Sequence, residues 1–334
     1  MSVSTRVAVP LAELLLRHGL VDDPSTVQLE PLDGGVSSEI WLVRTPERKL
    51  VVKRPLAQLR VASEWRAPLR RSRSEAGWLE VAGALVPGIC PQVLAYDDDE
   101  HFLALSYLDP ADHLLWKGEL MAGRVDRSVA AAVGDRLGGL HAGTSRRPEL
   151  AEQFATDELF VALRIEPYLL RLGERHPAIA PAVRGLAASL LETKLALVHG
   201  DASPKNILVG PQGPVLLDAE TAWWGDPAFD VAFCLNHLML KALRYGAPVR
   251  DLLDAADALL AAYTVHVDWE PSGELEHRVA ALLPALMLAR VDGRSPVEYL
   301  RDDARETVRR FALPLVGAPV ELPALFSSWK DLLS

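Results

Sequence analysis

The fold is decided by two neighbouring stretches, HGDASPKNILV at residues 199–209 and LLDAE at residues 216–220. The first stretch places a carboxylate, Asp201, and a carboxamide, Asn206, in one polar loop. The second adds the carboxylate of Asp218 after an apolar segment that is typical of a short strand. Oxygen donors of this kind are the ligands that a hard cation such as Mg²⁺ prefers. The two stretches therefore predict a metal-binding pair of loops between short strands.

The spacing of these groups is typical of a catalytic loop for phosphoryl transfer. In the pattern H-R-D-x-x-x-x-N, the Asp accepts the proton of the attacking hydroxyl and the Asn binds a metal ion, while an Asp on the next loop holds the metal against the phosphates. Asp201 is therefore predicted to be the catalytic base and to contact the acceptor. Asn206, Asp218 and Glu220 are predicted metal ligands. A polar turn whose acids cap backbone amides is the competing interpretation.

A phosphate-binding lysine is predicted upstream of this loop. Lys53 ends the apolar segment 51–53, which resembles the V-A-I-K strand whose Lys contacts the α- and β-phosphates. A helical Glu usually orients such a Lys, and Glu75 is the predicted partner, with Glu64 and Glu80 as rivals. The alternative for Lys53 is a solvated lysine at the end of a strand.

A loop that covers the nucleotide is predicted at residues 32–39, LDGGVSSE. The backbone around Gly35 and the hydroxyl of Ser37 or Ser38 could hold the β-phosphate, although a plain hairpin turn would have the same composition. Further along, Ser106 and Leu108 lie in the segment predicted to connect two lobes. Their backbone groups could bond to adenine, and a simple exit from a strand into a helix is the alternative.

The order of the predicted elements indicates an α+β chain with two lobes. Short strand patterns fill residues 27–107 around one helix at 72–85, and residues 1–107 form the predicted N-lobe. Residues 108–334 form the predicted helical C-lobe, with apolar residues three and four apart over 129–142, 156–172, 180–193, 230–243, 249–266 and 274–289. Ser295–Glu298 resembles a capping box and predicts a helix from there towards Leu315.

Composition restricts the partners. The chain has 334 residues, is 49% hydrophobic and carries a formal net charge of −10, which argues against a nucleic-acid or anionic-membrane partner. No secretory signal and no apolar run long enough for a membrane span is evident, so the expected location is the cytoplasm. Cys90 and Cys234 are expected to be free thiols. A monomer and a homodimer are both compatible with the sequence.

Together these residues look like the aminoglycoside phosphotransferase and choline kinase superfamily, over the range from Leu32 to about Leu243. The resemblance implies a protein-kinase-like fold with a five-stranded, antiparallel N-lobe, ATP and Mg²⁺ between the lobes, and an acceptor pocket built by C-lobe helices. Two passages, residues 107–123 and 218–230, are in part similar to methylthioribose kinase.

The resemblance also suggests acceptor-binding residues. C-lobe arginines hold the sugar in the resembled kinase, which makes Arg290 and Arg294 candidates; a cation that interacts with a helix C-terminus is the alternative. Trp223 and Trp224 could wall the acceptor pocket or pack in the core. Asp230 is predicted to accept hydrogen bonds from the catalytic loop.

The predicted function is the transfer of the γ-phosphate of ATP to a hydroxyl of a small polyhydroxylated molecule, with a sugar-like acceptor favoured. The alternatives are an aminoglycoside or amino-alcohol (choline-type) kinase and a non-catalytic nucleotide-binding protein. A protein kinase is disfavoured because the short interval between Asp218 and Asp230 leaves no room for an activation segment.

Overall fold

A five-stranded antiparallel sheet forms the first part of the computed structural model, which describes residues 11–32, 37–58, 68–271 and 273–333. The strands follow the spatial order β1-β2-β3-β5-β4. Their bounds are β1 (Gln28–Leu32), β2 (Ser38–Arg44), β3 (Lys49–Pro55), β4 (Val93–Asp97) and β5 (Phe102–Ser106). The predicted strand pattern and the five-stranded sheet are therefore confirmed. The division of the chain into lobes at residue 107 stays a prediction.

Both faces of this sheet are covered by helices. Helix α1, residues 11–17, places Leu11, Leu14 and Leu15 against Trp41 and neighbouring apolar side chains of the sheet. The three- and four-residue spacing of these leucines is typical of an amphipathic helix. Helix α2 (Arg71–Leu85) packs on the other side and continues the core into the rest of the molecule.

The remainder of the chain is mainly helical. The longer helices are α4 (Arg127–Ser145), α8 (Ala180–Glu192), α9 (Ala228–Lys241), α10 (Val249–Thr264), α11 (Glu274–Asp292), α12 (Asp302–Ala312) and α13 (Leu322–Leu333). Shorter ones are α3 (Trp116–Met121), α5 (Leu150–Gln153), α6 (Asp157–Phe160) and α7 (Arg171–Arg175). Every residue of α9 is buried, so this helix is the centre of the helical part. Among the described residues, no helix combines the length and apolar character that a bilayer crossing requires.

The helix predicted over 156–172 is interrupted by a different helical geometry. After α6, residues Val161–Leu170 form a π-helix, and α7 follows directly. Pro167 lies inside this segment and has no N–H to donate, so a regular α-helical hydrogen-bond ladder cannot continue through it. Segments of π-helix occur frequently at functional sites.

The capping box predicted at Ser295–Glu298 is wrong. Helix α12 begins at Asp302, with Arg301 at its N-cap position. Glu298 instead forms an ion pair with Lys117, with 2.6 Å between Oε1 and Nζ. The two residues lie far apart in the chain. The tertiary contact therefore outweighs the local capping preference at this position.

Two small sheets carry the polar loops of the motif. Strand β7 (Ala196–Val198) pairs with β10 (Trp223–Gly225), and β8 (Ile207–Gly210) pairs with β6 (Leu114–Leu115) and with β9 (Gly213–Leu216). The strands predicted around residues 196–198, 207–209 and 215–217 are confirmed to within two residues at each end. Cys90 and Cys234 are free thiols, as predicted.

Candidate active site

The backbone of the catalytic loop is fixed from helix α9. Asp230 is completely buried, and its carboxylate accepts hydrogen bonds from the backbone N–H groups of His199 (2.7 Å) and Gly200 (2.9 Å). This contact is the one predicted for Asp230. Gly200 has φ of +76°, and a Cβ at this position would lie 2.5 Å from the carbonyl oxygen of Thr221. The loop therefore requires glycine before Asp201.

His199 holds the loop as a neutral imidazole. Burial lowers its pKa below the ordinary value. Its Nδ1 lies 3.1 Å from the backbone N–H of Asp201, and its Nε2 lies 3.1 Å from the carbonyl oxygen of Leu217. A neutral ring that accepts at Nδ1 and donates from Nε2 satisfies both contacts. His199 thus connects the catalytic loop to the segment that leads to Asp218.

The carboxylate of Asp201 has one occupied and one free oxygen. Its Oδ2 accepts from Arg164 Nη2 at 3.0 Å, from Lys205 Nζ at 2.8 Å and from Asn206 Nδ2 at 2.9 Å. Its Oδ1 is buried and has no hydrogen-bond partner among the described residues. Burial alone would raise the pKa of Asp201, but the charges of Arg164 and Lys205 outweigh it and lower the pKa. The result is an ionised carboxylate whose second oxygen accepts no hydrogen bond from the described residues.

Lys53 lies between two carboxylates. Its ammonium contacts Glu75 Oε1 at 2.6 Å and Asp218 Oδ1 at 2.7 Å. Burial alone would lower the pKa of Lys53, but Asp218 and Glu75 outweigh it and raise the pKa. The structure thus selects Glu75 over Glu80, whose position on α2 is exposed. Glu64 lies outside the described residues.

Glu220 is held by donors from the first part of the chain. The hydroxyls of Ser37 and Ser38 donate to its Oε1 at 2.8 and 2.7 Å, and Arg71 Nε donates to its Oε2 at 2.9 Å. Arg71 is completely buried and also donates to the backbone carbonyl of Leu56 at 2.6 Å. The carboxylate therefore ties the loop after β9 to the start of β2 and to the start of α2.

The acidic groups could together hold a divalent cation. Carboxylate oxygens of Glu75, Asp218 and Glu220 lie within 4.8 Å of one another. Asn206 uses its amide nitrogen on Asp201, which leaves the amide oxygen for a cation. Asp218 has φ of +65°, a strained conformation for a residue with a side chain. Strain of this kind is often found at ligand sites, and an all-oxygen donor set fits Mg²⁺.

One cavity of about 800 Å³ is lined by Lys53, Asp218 and Glu220, among others. Its first part is lined by the predicted nucleotide-binding residues that the structure describes, namely Ser37, Ser38, Lys53, Glu75, Ser106 and Leu108. Its second part is lined by side chains of the π-helix, of α9 and of α11, namely Leu163, Arg164, Tyr168, Phe233, His237 and Arg290. Asp201, Lys205 and Asn206 lie on its wall as well.

Residues 28–275 match the family model described as the phosphotransferase enzyme family, APH. The chain belongs to this family. It is 28% identical over 293 residues to the methylthioribose kinase of Erwinia tasmaniensis, which covers 77% of this chain and 71% of that protein. It is 27% identical over 316 residues to the methylthioribose kinase of Yersinia enterocolitica, covering 83% and 76%. The superfamily resemblance is therefore confirmed, and this phosphotransferase is an enzyme of the small-molecule kinase type.

The fold agrees with the family. A choline/ethanolamine kinase family protein from Mesorhizobium loti superimposes with a TM-score of 0.55 at 18% identity, covering 97% of this chain and 99% of that one. The predicted fold class, α+β and protein-kinase-like with an antiparallel sheet and a mainly helical second part, is thereby confirmed.

Three predicted acceptor residues do not line the cavity. Trp223 is completely buried and stacks on Phe160 with ring centroids 4.0 Å apart, and Trp224 is buried beside it on β10. Both tryptophans belong to the core, which was the alternative interpretation. The side chain of Arg294 is also not among the lining residues; its backbone N–H donates to the carbonyl of Pro167. Gly35 lies outside the described residues.

Other site residues have no counterpart in the sequence predictions. Arg164 and Tyr168 on the π-helix and His237 on α9 line the cavity, and Arg71 holds Glu220. A charged residue within the apolar run VALRIEPYLL, residues 161–170, was the available signal for Arg164. Lys205 contacts Asp201 as well.

Proposed function

We propose that this phosphotransferase moves the γ-phosphate of ATP to a hydroxyl of a small sugar-like molecule. The observation that carries the proposal is the carboxylate of Asp201 on the wall of the cavity, whose buried Oδ1 has no hydrogen-bond partner among the described residues. An acceptor hydroxyl that donates to this oxygen would be oriented for attack and would lose its proton to it late in the reaction.

The other side chains divide the remaining tasks. Lys53, held by Glu75, would contact the α- and β-phosphates. Lys205 and Arg164 flank Asp201 and would neutralise charge on the transferred phosphoryl group. Ser106 and Leu108 line the cavity where the adenine is proposed to lie.

Mg²⁺ is the proposed cofactor. Asn206, Asp218 and Glu220 would hold it, and the cation would neutralise charge on the β- and γ-phosphates when bound. The hydroxyls of Ser37 and Ser38 donate to Glu220, and they are proposed to contact the phosphates of ATP as well.

The buried free thiol of Cys234 supports the predicted cytoplasmic location, since thiols stay reduced there.

A sugar-like acceptor is favoured over a cationic one. The curated relatives are named methylthioribose kinases, and a ribose derivative offers several hydroxyls. The second part of the cavity is lined by Arg164 and Arg290, which would repel the ammonium groups of an aminoglycoside or an amino alcohol.

A non-catalytic role is disfavoured because Lys53, Asp201, Asn206 and Asp218 are all present.

Asp201 is the proposed catalytic base. Full-length protein with ATP and Mg²⁺ is expected to phosphorylate at least one member of a panel of pentoses, hexoses and their derivatives. Asp201→Asn should lower kcat by about 10²- to 10⁴-fold, because the variant cannot accept the proton. Its affinity for ATP, measured by calorimetry, should change only a few-fold.

Asp99→Asn is the matched control, because Asp99 lies on an exposed turn and its substitution removes the same charge. The control should retain wild-type activity. Full activity in Asp201→Asn, or no ATP consumption by the wild type with any acceptor or with water, would contradict the proposed function.

A further inference from the structure

Positive charge collects at the second part of the cavity, away from the predicted phosphate-binding lysine. We use the term basic cluster for four residues, Lys117, His237, Lys241 and Arg290. Three of them, Lys117, His237 and Arg290, line the cavity, and Lys241 lies one helical turn after His237 on α9. The cluster contributes nothing to the chemistry proposed above for Asp201 and Lys53.

Arg290 is buried without a counter-ion. Its side chain lies on α11, and the residue is 8% exposed. Nη1 donates to the hydroxyl of Tyr168 at 3.0 Å, and the guanidinium lies 5.7 Å from the centre of the same ring. Within the part of the chain that the structure describes, Nε has no hydrogen-bond partner and no carboxylate lies within ion-pair distance of the guanidinium. Burial of a guanidinium without an ion-pair partner costs free energy, and the binding of an anion to Arg290 would offset that cost.

Lys241 likewise has no ion-pair partner among the described residues, and His237 beside it is a neutral ring, because burial and the nearby cations hold its pKa well below the ordinary value. Lys241 is 2% exposed; its ammonium donates to the carbonyl of His237 at 3.4 Å and lies 5.0 Å from the centre of the Tyr299 ring. His237 is 5% exposed, and its Nε2 has no partner among the described residues. Burial together with the charges of Lys117 and Arg290 lowers the pKa of Lys241 to about 7.

One carboxylate approaches the cluster from outside. Glu298 pairs with Lys117 at 2.6 Å, and its side chain is 66% exposed. This pair therefore lies at the solvent edge. The charge of Glu298 also acts on Arg290 and Lys241, but among the described residues neither of these two buried cations forms an ion pair with a carboxylate. The local excess of positive charge contrasts with the formal net charge of −10 of the whole chain.

A chain of contacts connects the cluster to the catalytic carboxylate. Arg164 contacts Asp201 at 3.0 Å, and its guanidinium lies 5.9 Å from the centre of the Tyr168 ring. Tyr168 in turn accepts the hydrogen bond of Arg290. An acceptor whose hydroxyl contacts Asp201 would therefore extend along Tyr168 towards Arg290.

We infer that the acceptor carries an oxyanion, a carboxylate or a phosphate, which Arg290 and His237 bind directly and Lys241 attracts from one helical turn away. The inference rests on the proposed function, because it assigns the remaining part of the same acceptor. It excludes a cationic acceptor and distinguishes this enzyme from a kinase whose acceptor is uncharged. A planar guanidinium suits both kinds of oxyanion, since it can form two parallel hydrogen bonds.

The test measures anion binding without knowledge of the acceptor. Full-length protein saturated with a non-hydrolysable ATP analogue and Mg²⁺ is titrated with inorganic phosphate or with acetate at constant ionic strength, and thermal unfolding is followed. At least one anion is expected to raise Tm with saturation in the millimolar range. A response to phosphate only would indicate a phosphorylated acceptor, and a response to acetate only would indicate a carboxylated one.

Variants connect the response to the cluster. Arg290→Gln should weaken the apparent anion affinity by about tenfold or more, the usual effect of a lost charge-assisted hydrogen bond. Arg290→Lys should retain part of the affinity. Arg250→Gln removes an exposed arginine from α10 and should bind anions as the wild type does. No saturable response in the wild type, or an equal response in Arg290→Gln and wild type, would overturn the inference.

Acceptor preference gives a second readout. A hexose, its 6-carboxylate, its 6-phosphate and its 2-amino derivative are compared by kcat/KM, with at least a tenfold preference expected for one anionic member. Loss of that preference in Arg290→Gln would support the inference, whereas a preference for the neutral or the amino sugar would overturn it. Failure of the proposed function would differ, because ATP would then be consumed neither with an acceptor nor with water, whatever the anion titration showed.

Discussion

Gly200 and Asp218 show how single residues set the geometry of the site. Both have positive φ, at +76° and +65°. Gly200 directly precedes Asp201, and Asp218 is itself one of the acidic residues of the site. Glycine adopts this conformation without strain, whereas Asp218 does so at a cost that the surrounding contacts must offset. Its ion pair with Lys53 at 2.7 Å is one such contact.

At Gly200 a side chain is predicted to be damaging. Gly200→Ala would place a Cβ 2.5 Å from the carbonyl of Thr221 and would strain the backbone. We expect a loss of about 2 kcal/mol in the free energy of unfolding, and a lower kcat because Asp201 shifts. Urea unfolding and steady-state kinetics check both effects.

Gly185→Ala is the matched control, since this glycine lies in helix α8 with open space around its Cβ position. The control should gain about 0.5 to 1 kcal/mol from better helix propensity. Equal stability of the two variants would show that the strain at Gly200 is not significant.

At the scale of elements, Arg71 and Glu220 join segments that are far apart in the chain. Arg71 begins helix α2, and Glu220 lies in the loop between β9 and β10. Their contact at 2.9 Å is buried on both sides. Because Glu220 also accepts from Ser37 and Ser38, the pair determines how the start of β2 lies against the loop that carries Asp218 and Glu220.

A double-mutant cycle should detect this coupling. Arg71→Met leaves the Glu220 carboxylate buried without a counter-ion and is expected to cost about 3 to 5 kcal/mol of stability. Adding Glu220→Gln should recover part of the loss, with a coupling energy of about 1 to 3 kcal/mol. Chemical unfolding of the four proteins provides the measurement. Strictly additive losses would mean that the two residues act independently.

At the scale of the whole molecule, charge is distributed unevenly. The chain is acidic overall, yet buried cations face one another across α9, α11 and the segment near Lys117. Lys241 is affected most clearly by its surroundings. Burial is the largest cause of its lowered pKa, Lys117 and Arg290 contribute repulsion, and Cys234 and Glu298 act in the opposite direction.

The lowered pKa predicts a pH dependence of stability. Between about 7 and the ordinary pKa of 10.5, the unfolded chain keeps its Lys241 proton while the folded chain loses it. Unfolding therefore takes up protons in this window, and stability should rise with pH by up to ~1.4 kcal/mol per unit from this group. Below pH 7 both states are protonated, and the penalty is fully present.

Lys241→Met should remove this rise and should be more stable than the wild type at neutral pH. Urea unfolding between pH 6 and 9.5 checks the difference between the two curves. Lys49→Met, at an exposed position on β3, controls for the loss of one lysine. Parallel curves for wild type and Lys241→Met would contradict the prediction.

Much of the architecture could be predicted because its signals are local. The strands around Lys53 and the motif are marked by short apolar segments, and the spacing of Asp201, Asn206 and Asp218 predicts that they lie on adjoining loops. The predictions that are wrong concern residues whose positions depend on partners far away in the chain. Glu298 pairs with Lys117 instead of capping a helix, and Trp223 packs on Phe160 instead of facing the cavity.

The phosphotransferase family could be recognised from the sequence alone, because two carboxylates and an amide at fixed spacing on adjoining loops form a local pattern that needs few distant partners. The tertiary structure alone decided what surrounds that chemistry. It brought Arg164 to Asp201, Arg71 to Glu220 and Arg290 to the far end of the cavity. Charge and burial depend on neighbours from separate elements, and therefore the properties of the acceptor site emerge only when the helices pack.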